Sequence, residues 1–102
     1  MKNEYILIDE NTIEMTLTQG KKTCVNVSDM VLFNEIKWCA KKDPKNNKYY
    51  VYGKTPTVDG KRKNLKLHRI IMGIIDPNIG IDHIDGDTLN NRRSNLRVAN
   101  AF

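Results

Sequence analysis

Alternation of apolar and polar residues dominates the first half of this chain. Tyr5-Ile6-Leu7-Ile8, and then Thr12 to Thr18 with Ile13, Met15 and Leu17 on one side, predict two strands joined by the turn-prone Asp9-Glu10-Asn11. Gln19-Gly20-Lys21-Lys22 predicts a second turn, and Thr23-Cys24-Val25-Asn26-Val27 a third strand. Ser28 or Asp29 is placed to cap a short helix over Met30 to Ile36, with Leu32 and Phe33 inward and Trp38 plugging the core just after it. Lys41 to Lys48 holds Asp43-Pro44 and Asn46-Asn47 and reads as a turn, followed by the aromatic strand Tyr49-Tyr50-Val51-Tyr52. Asp59-Gly60 is a hairpin signal leading into Lys61 to Leu67. His68 to Met72 then predicts a short amphipathic helix ended by Gly73 and followed by the Asp76-Pro77-Asn78 turn. Ile70, Ile71, Ile74, Ile75 and Ile79 are expected to anchor the segment that comes next. The fold class is α+β: residues 1–62 form a small antiparallel β-rich part with one short helix, and residues 63–102 carry the chemistry.

Length and charge sharpen this picture. A chain of 102 residues is one domain's worth, and its core must be modest. The formal charge is +5, unevenly spread. Residues 1–35 hold three Lys against six acids, residues 36–73 eleven basic residues against two acids, and residues 74–102 three Arg against four Asp. The first part therefore turns basic towards its C-terminal half, and such a layout suits a protein whose positive surface holds a polyanion while a small acidic cluster holds a cation. Two cysteines, Cys24 and Cys39, make no disulfide framework, and no apolar run approaches the ~18–20 residues that span a bilayer. Met1-Lys2-Asn3-Glu4 leads straight into a strand, so no membrane partner and a cytoplasmic location with reduced thiols are expected. Zinc on Cys24, Cys39, His68 and His83 lacks the paired spacings that zinc sites use.

The densest chemistry lies in Ile81-Asp82-His83-Ile84-Asp85-Gly86-Asp87-Thr88-Leu89-Asn90-Asn91-Arg92-Arg93-Ser94-Asn95-Leu96-Arg97. Asp82 offers a hard oxygen ligand and His83 an imidazole suited to take a proton from water beside a phosphate. Asp85 and Asp87 are better explained as turn formers than as ligands. A basic stripe of Lys61, Arg62, Lys63 and Lys66, with Arg69, Asn91, Arg92, Arg93 and Arg97, is expected to grip nucleic acid. Charge clusters are often no more than solvated hairpins, but here several fall close to the acidic segment. Tyr49, Tyr50 and Tyr52 can stack on bases, although strand aromatics more often serve core and sheet surface. His68, at a helix start, is expected to be structural.

The order Leu67-His68-Arg69-Ile70-Ile71-Met72-Gly73, a turn, Asp82-His83-Ile84-Asp85-Gly86-Asp87, then Asn90-Asn91-Arg92-Arg93-Ser94-Asn95-Leu96-Arg97 closely resembles the HNH homing-endonuclease family, many of whose members are phage- or intron-borne. The resemblance covers about residues 65 to 100. It implies a ββα-metal finger (His-Me finger) in which Asp82-His83 closes one strand, a loop follows, Asn95-Leu96 opens the second strand and a helix completes the metal site. On that resemblance His83 is the general base, Asn95 is a catalytic-site residue that braces the loop and orients the histidine, and Asp82 binds one divalent ion, Mg or Mn. The family's last motif residue falls past Phe102, so the closing helix is truncated and Asn100 is the nearest second ligand.

Two readings follow. One is a metal-dependent endonuclease that nicks or cleaves double-stranded DNA, in a bacterial host cytosol if phage-borne. The other is a catalytically inactive HNH-derived phage protein that inhibits a host defence nuclease or its guide RNA complex, in the manner of an anti-CRISPR protein, or acts as a small nucleic-acid-binding regulator.

Overall fold

The computed structural model describes residues 2–33, 36–54, 60 and 64–99. Among these described residues, three antiparallel sheets and one short α-helix follow one another. Strands β1 (Tyr5–Leu7), β2 (Thr12–Thr16) and β3 (Lys22–Asn26) form the first sheet in that order. Their turns use the expected residues. Asp9 Oδ1 accepts from the Asn11 amide at 2.8 Å, and Gln19 and Gly20 both take positive φ (58° and 69°), the twist that matches a tight hairpin.

Strands β4 (Trp38–Lys42), β5 (Tyr49–Lys54) and β6 (Asn64–Lys66) form the second sheet. Strand β4 is absent from the expectation above, because its lysine tail resembles the turn that follows it. Its Trp38 and Ala40 nevertheless alternate inward as a strand requires. The expected strand from Lys61 is represented by β6, residues 61–63 lying outside the described residues.

The helix expected over Met30 to Ile36 is instead a 3-10 segment, Val27–Leu32. Its start lacks a side-chain cap for a visible reason. Asn26, at the cap position, has its Oδ1 on the Arg93 amide at 2.8 Å, and Asp29, one of the two expected caps, holds the Arg93 guanidinium, so both side chains are diverted to a distant segment. Phe33 is buried as expected, while Leu32 is exposed.

Helix α1 (Leu67–Met72) follows β6 directly and ends at Gly73, whose φ of 67° lets its amide return to Ile70 O. Leaving the helix there swings the chain outward. Ile70, Ile71 and Ile74 keep full or partial cover, but Ile75 is 95% and Ile79 37% exposed, so the isoleucine anchor is smaller than expected. Strands β7 (Gly80–His83) and β8 (Leu96–Ala99) make the third sheet, with Asp82 opposite Arg97 and His83 opposite Leu96. The helix expected after β8 would begin at residues outside the described ones.

A single core joins these pieces. Ile13, Met15 and Val25 from the first sheet meet Trp38, Ala40 and Val51 from the second, closed by Phe33, Leu67, Ile71 and Leu96. Trp38 meets Phe33 edge to face, their ring centroids 6.0 Å apart. Asn3, 5% exposed, stitches the sheets by donating to Thr16 O and Trp38 O and accepting from the Trp38 amide. No helix among the described residues is long and apolar enough to cross a membrane.

Candidate active site

The loop from Ile84 to Asn95 turns back on itself through carboxylate and carboxamide side chains. Asp85 Oδ1 accepts from the Asp87 amide (2.8 Å) and from Asn95 Nδ2 (2.8 Å), while its Oδ2 accepts from Asn90 Nδ2 (2.9 Å). These hydrogen bonds, the one from Asn90 foremost, hold the Asp85 carboxyl below the usual carboxylate range. Asp87 Oδ1 receives the Leu89 amide at 3.0 Å. Both aspartates thus form turns. Asn95, 6% exposed, closes the loop: its Oδ1 takes the Asp85 amide, its Nδ2 also reaches Asn90 O, and its carbonyl takes the Ile84 amide.

The loop is bolted to both larger sheets. Cys24 N donates to Leu89 O (3.0 Å) and Asn91 N to Cys24 O (2.8 Å), a parallel bridge onto β3. Thr88 Oγ1 donates to Tyr49 O and Lys48 Nζ to Gly86 O (3.3 Å), tying the loop to β5.

His83 sits at the end of β7, 6% exposed. Its ring centroid lies 5.4 Å from that of His68 and 6.2 Å from that of Tyr50. Nε2 is 2.9 Å from Oδ1 of Asn91, a side chain only 1% exposed. The direction of that bond follows from its neighbours. The Thr23 hydroxyl spends its one hydrogen on Leu89 O (2.7 Å), so it can only accept from Asn91, whose Nδ2 lies 2.9 Å away. Asn91 therefore turns its oxygen to His83, and Nε2 must carry the hydrogen. In the neutral ring the lone pair is then on Nδ1, which makes no hydrogen bond among the described residues.

Other expected site residues fall out differently. Asn91, expected on the nucleic-acid face, is buried and commits its side chain to His83 and Thr23. Asn95 braces the loop, but the hydrogen bond to the His83 ring comes from Asn91 instead. Asp82 is half exposed and pairs with Arg97 across the strands, its Oδ2 2.9 Å from Nη2 and 3.1 Å from Nε.

The remaining arginines also spend hydrogens inside the protein. Arg69 donates to Asp76 O and Ile79 O, and Arg92 Nε to Asn90 Oδ1. Arg93 grips the buried Asp29 with Nε 3.0 Å from both carboxylate oxygens and Nη2 2.7 Å from Oδ1. Lys66 is exposed, its ammonium over the Tyr52 ring. Lys61, Arg62, Lys63 and Asn100 lie outside the described residues.

His68 is buried, and its ring makes a triangle with those of Tyr50 and His83. Burial, then the adjacent His83 and the charges of Lys66 and Arg69, push its pKa down to about 4, so it is a neutral packing residue at ordinary pH. Burial and Glu14 push the Cys24 thiol up, away from the thiolate that metal binding needs.

Asp85, whose charge reaches His83, spends its oxygens on the loop, which leaves Asp82, the residue before His83 in β7, as the carboxylate with an oxygen to spare. Among the described residues no three His, Cys, Asp or Glu side chains converge. Asp82 alone fits a hard cation that keeps most of its water and borrows oxygens from a phosphate, with Oδ1 free of hydrogen bonds among the described residues. No curated protein and no solved structure matches the chain. His83, the Asn91 oxygen that fixes its hydrogen and the Asp85–Asn95 clasp of the loop behind it all fall within residues 66–101, and that segment matches the model of the HNH endonuclease family.

Proposed function

We propose that this protein is a metal-dependent endonuclease of the HNH kind that binds double-stranded DNA and hydrolyses its phosphodiesters, with β7 and β8 as the two strands of a ββα-metal finger. One observation carries the reading: a buried imidazole whose Nε2 is committed to a side-chain carbonyl, leaving Nδ1 as the basic nitrogen. Nδ1 of His83 takes the proton of a water whose oxygen bonds to phosphorus, the phosphorus–oxygen bond to the leaving 3′ oxygen breaks, and that oxygen is protonated by solvent. Proton transfer of this kind contributes typically ~10²–10⁴ in rate. Asp82, with Asn100 as second ligand, would hold one Mg²⁺ or Mn²⁺, which when bound supplies positive charge to the phosphate and the departing oxygen. Asn95 keeps the loop closed behind the histidine.

The test is incubation of supercoiled plasmid with the protein and Mg²⁺ or Mn²⁺. Nicked product is expected, reduced at least ~100-fold by His83→Ala. No product with either metal refutes the catalytic reading.

The ion pair between Asp82 and Arg97 favours a second reading, in which the ligand is held by protein and the finger serves as a binding surface. On that reading the protein regulates nucleic acid or restrains a host defence nuclease, and plasmid stays intact while binding persists.

A further inference from the structure

We propose that the outward face of the β4–β5–β6 sheet is a phosphate-reading track that delivers duplex DNA to His83. The destination rests on the nuclease reading, while the chemistry of the track rests on the sheet itself. Trp38, Ala40, Val51 and Gly53 fill the core side of this sheet, so by alternation Lys41, Tyr50, Tyr52, Lys54 and Lys66 occupy the other. Neither β4, β5 nor β6 contains an aspartate or glutamate. The nearest acid in sequence, Asp43, follows β4 and accepts the Lys45 amide.

The two aromatic rings organise the charge. Lys41 and Lys66 reach the ring of Tyr52 from the two flanking strands, their Nζ atoms 5.5 and 6.0 Å from its centroid. Register explains this, since Lys66 is directly opposite Tyr52 while Lys41 is one diagonal step away, opposite Tyr50. The ring holds two flexible ammonium groups at fixed places. Tyr50, two residues towards the site, lies 6.0 Å from the His68 ring and 6.2 Å from that of His83. Lys48, at the same end, is bonded to the Gly86 carbonyl of the loop. Lysines therefore stand at both ends of the path from Lys54 and Lys66 to the edge of the candidate site, and Asp43 is the one acid whose charge is felt at Tyr52 between them.

This surface suits phosphates rather than bases. The Tyr52 ring already carries the ammonium groups of Lys41 and Lys66, and Tyr50 packs against the imidazoles of His68 and His83, which leaves point charges rather than open stacking planes to meet a ligand. A duplex offers such charges at a fixed repeat, whereas its bases stay inside. Arg69, Arg92, Arg93 and Arg97 are engaged within the protein, as described above.

The test is fluorescence anisotropy of a labelled duplex without divalent metal, at a series of salt concentrations. Each lysine that contacts a phosphate adds about 0.9 to the slope of log affinity against log salt. Lys41→Ala/Lys54→Ala/Lys66→Ala should lower the slope by about 2 to 3, so that between about 50 and 200 mM salt the wild type loses roughly 40-fold more affinity than the variant. Tyr52→Phe should bind as wild type, because the ring face is kept, and Tyr52→Ala should bind less tightly. Lys22→Ala, on the first sheet and paired with Glu14, should leave the slope unchanged.

An unchanged slope in the triple variant overturns the track, as does binding confined to single strands or to an acidic polypeptide. A protein that nicks plasmid with an unchanged slope refutes the track alone. A lysine-dependent slope without nicking refutes the nuclease reading alone.

Discussion

Replacing Thr23 by valine tests how the candidate base acquires its orientation, from a residue that is itself fully buried. Thr23 is fully buried and Asn91 1% exposed, so no water stands ready to replace the lost hydroxyl. The Asn91 Nδ2 that Thr23 accepts, and the Leu89 carbonyl to which it donates, both lose a partner. A buried group left unpaired costs about 1–3 kcal/mol, which for a domain of this size lowers Tm by roughly 5 to 20 °C.

The second consequence is chemical. With valine present, Asn91 can face His83 with either end of its carboxamide at equal cost, so Nε2 is no longer obliged to carry the hydrogen. Long-range ¹⁵N–¹H correlation spectra at about pH 8.5, where imidazoles are neutral, should show a single Nε2–H pattern for His83 in the wild type. The variant should show a mixture of both tautomers, with the nicking rate falling alongside the Nε2–H population. Thr23→Ser should restore pattern and rate together. A wild-type His83 carrying its hydrogen on Nδ1, or a Thr23→Val protein with unchanged Tm and spectrum, would refute the hydrogen-bond assignment.

Three further outcomes are expected. The folded pKa of His68 lies near 4, below the ordinary 6.5, so the unfolded chain binds the proton first. Stability should therefore fall as pH drops from about 6.5 towards 4, by up to ~3 kcal/mol, and urea midpoints at pH 7 and 4.5 should show that His68→Gln removes most of this loss. Arg93→Ala strands the buried Asp29 and should cost roughly 2–3 kcal/mol, less than a fully buried pair because the Arg93 side chain is half exposed. Arg93→Lys should recover little of it in thermal denaturation, since one ammonium cannot reproduce the three contacts of the guanidinium. Gly53→Ala puts a Cβ 2.5 Å from Ile36 Cγ2 and 2.8 Å from Trp38 Cε3, so it should destabilise by about 1–3 kcal/mol and alter tryptophan fluorescence. A neutral result there would mean that the core yields more readily than its packing suggests.

Local pattern carried much of the fold but less of the site. The helix ending at Gly73, the turns at Asp9 and Asp85 and the strand of tyrosines all follow from short-range rules, and the structure contains them. Strand β4 escaped because two of its five residues are lysines beside a proline turn, where polarity outweighed the inward alternation of Trp38 and Ala40. The helix expected after Ser28 failed because Asn26 and Asp29 have partners more than sixty residues away, and no periodicity reports such a pairing. The same applies to the site. His83 and Asp82 stand out by residue type, but that Asn91 rather than Asn95 holds the imidazole depends on Thr23, 68 positions before Asn91. The only signal was the doubled asparagine. The arginines misled because sequence shows their charge and hides the carbonyls and carboxylates that already hold them.

The parallel bridge between Cys24 and Asn90 limits what can be transplanted. A segment cut at residues 66–101 would take the histidine and its loop to a new scaffold but leave behind the strand that sets the handedness of its hydrogen-bond relay. Such a graft should regain a correctly protonated imidazole only on a host that offers, at the same spot, a hydroxyl whose own hydrogen is already spoken for.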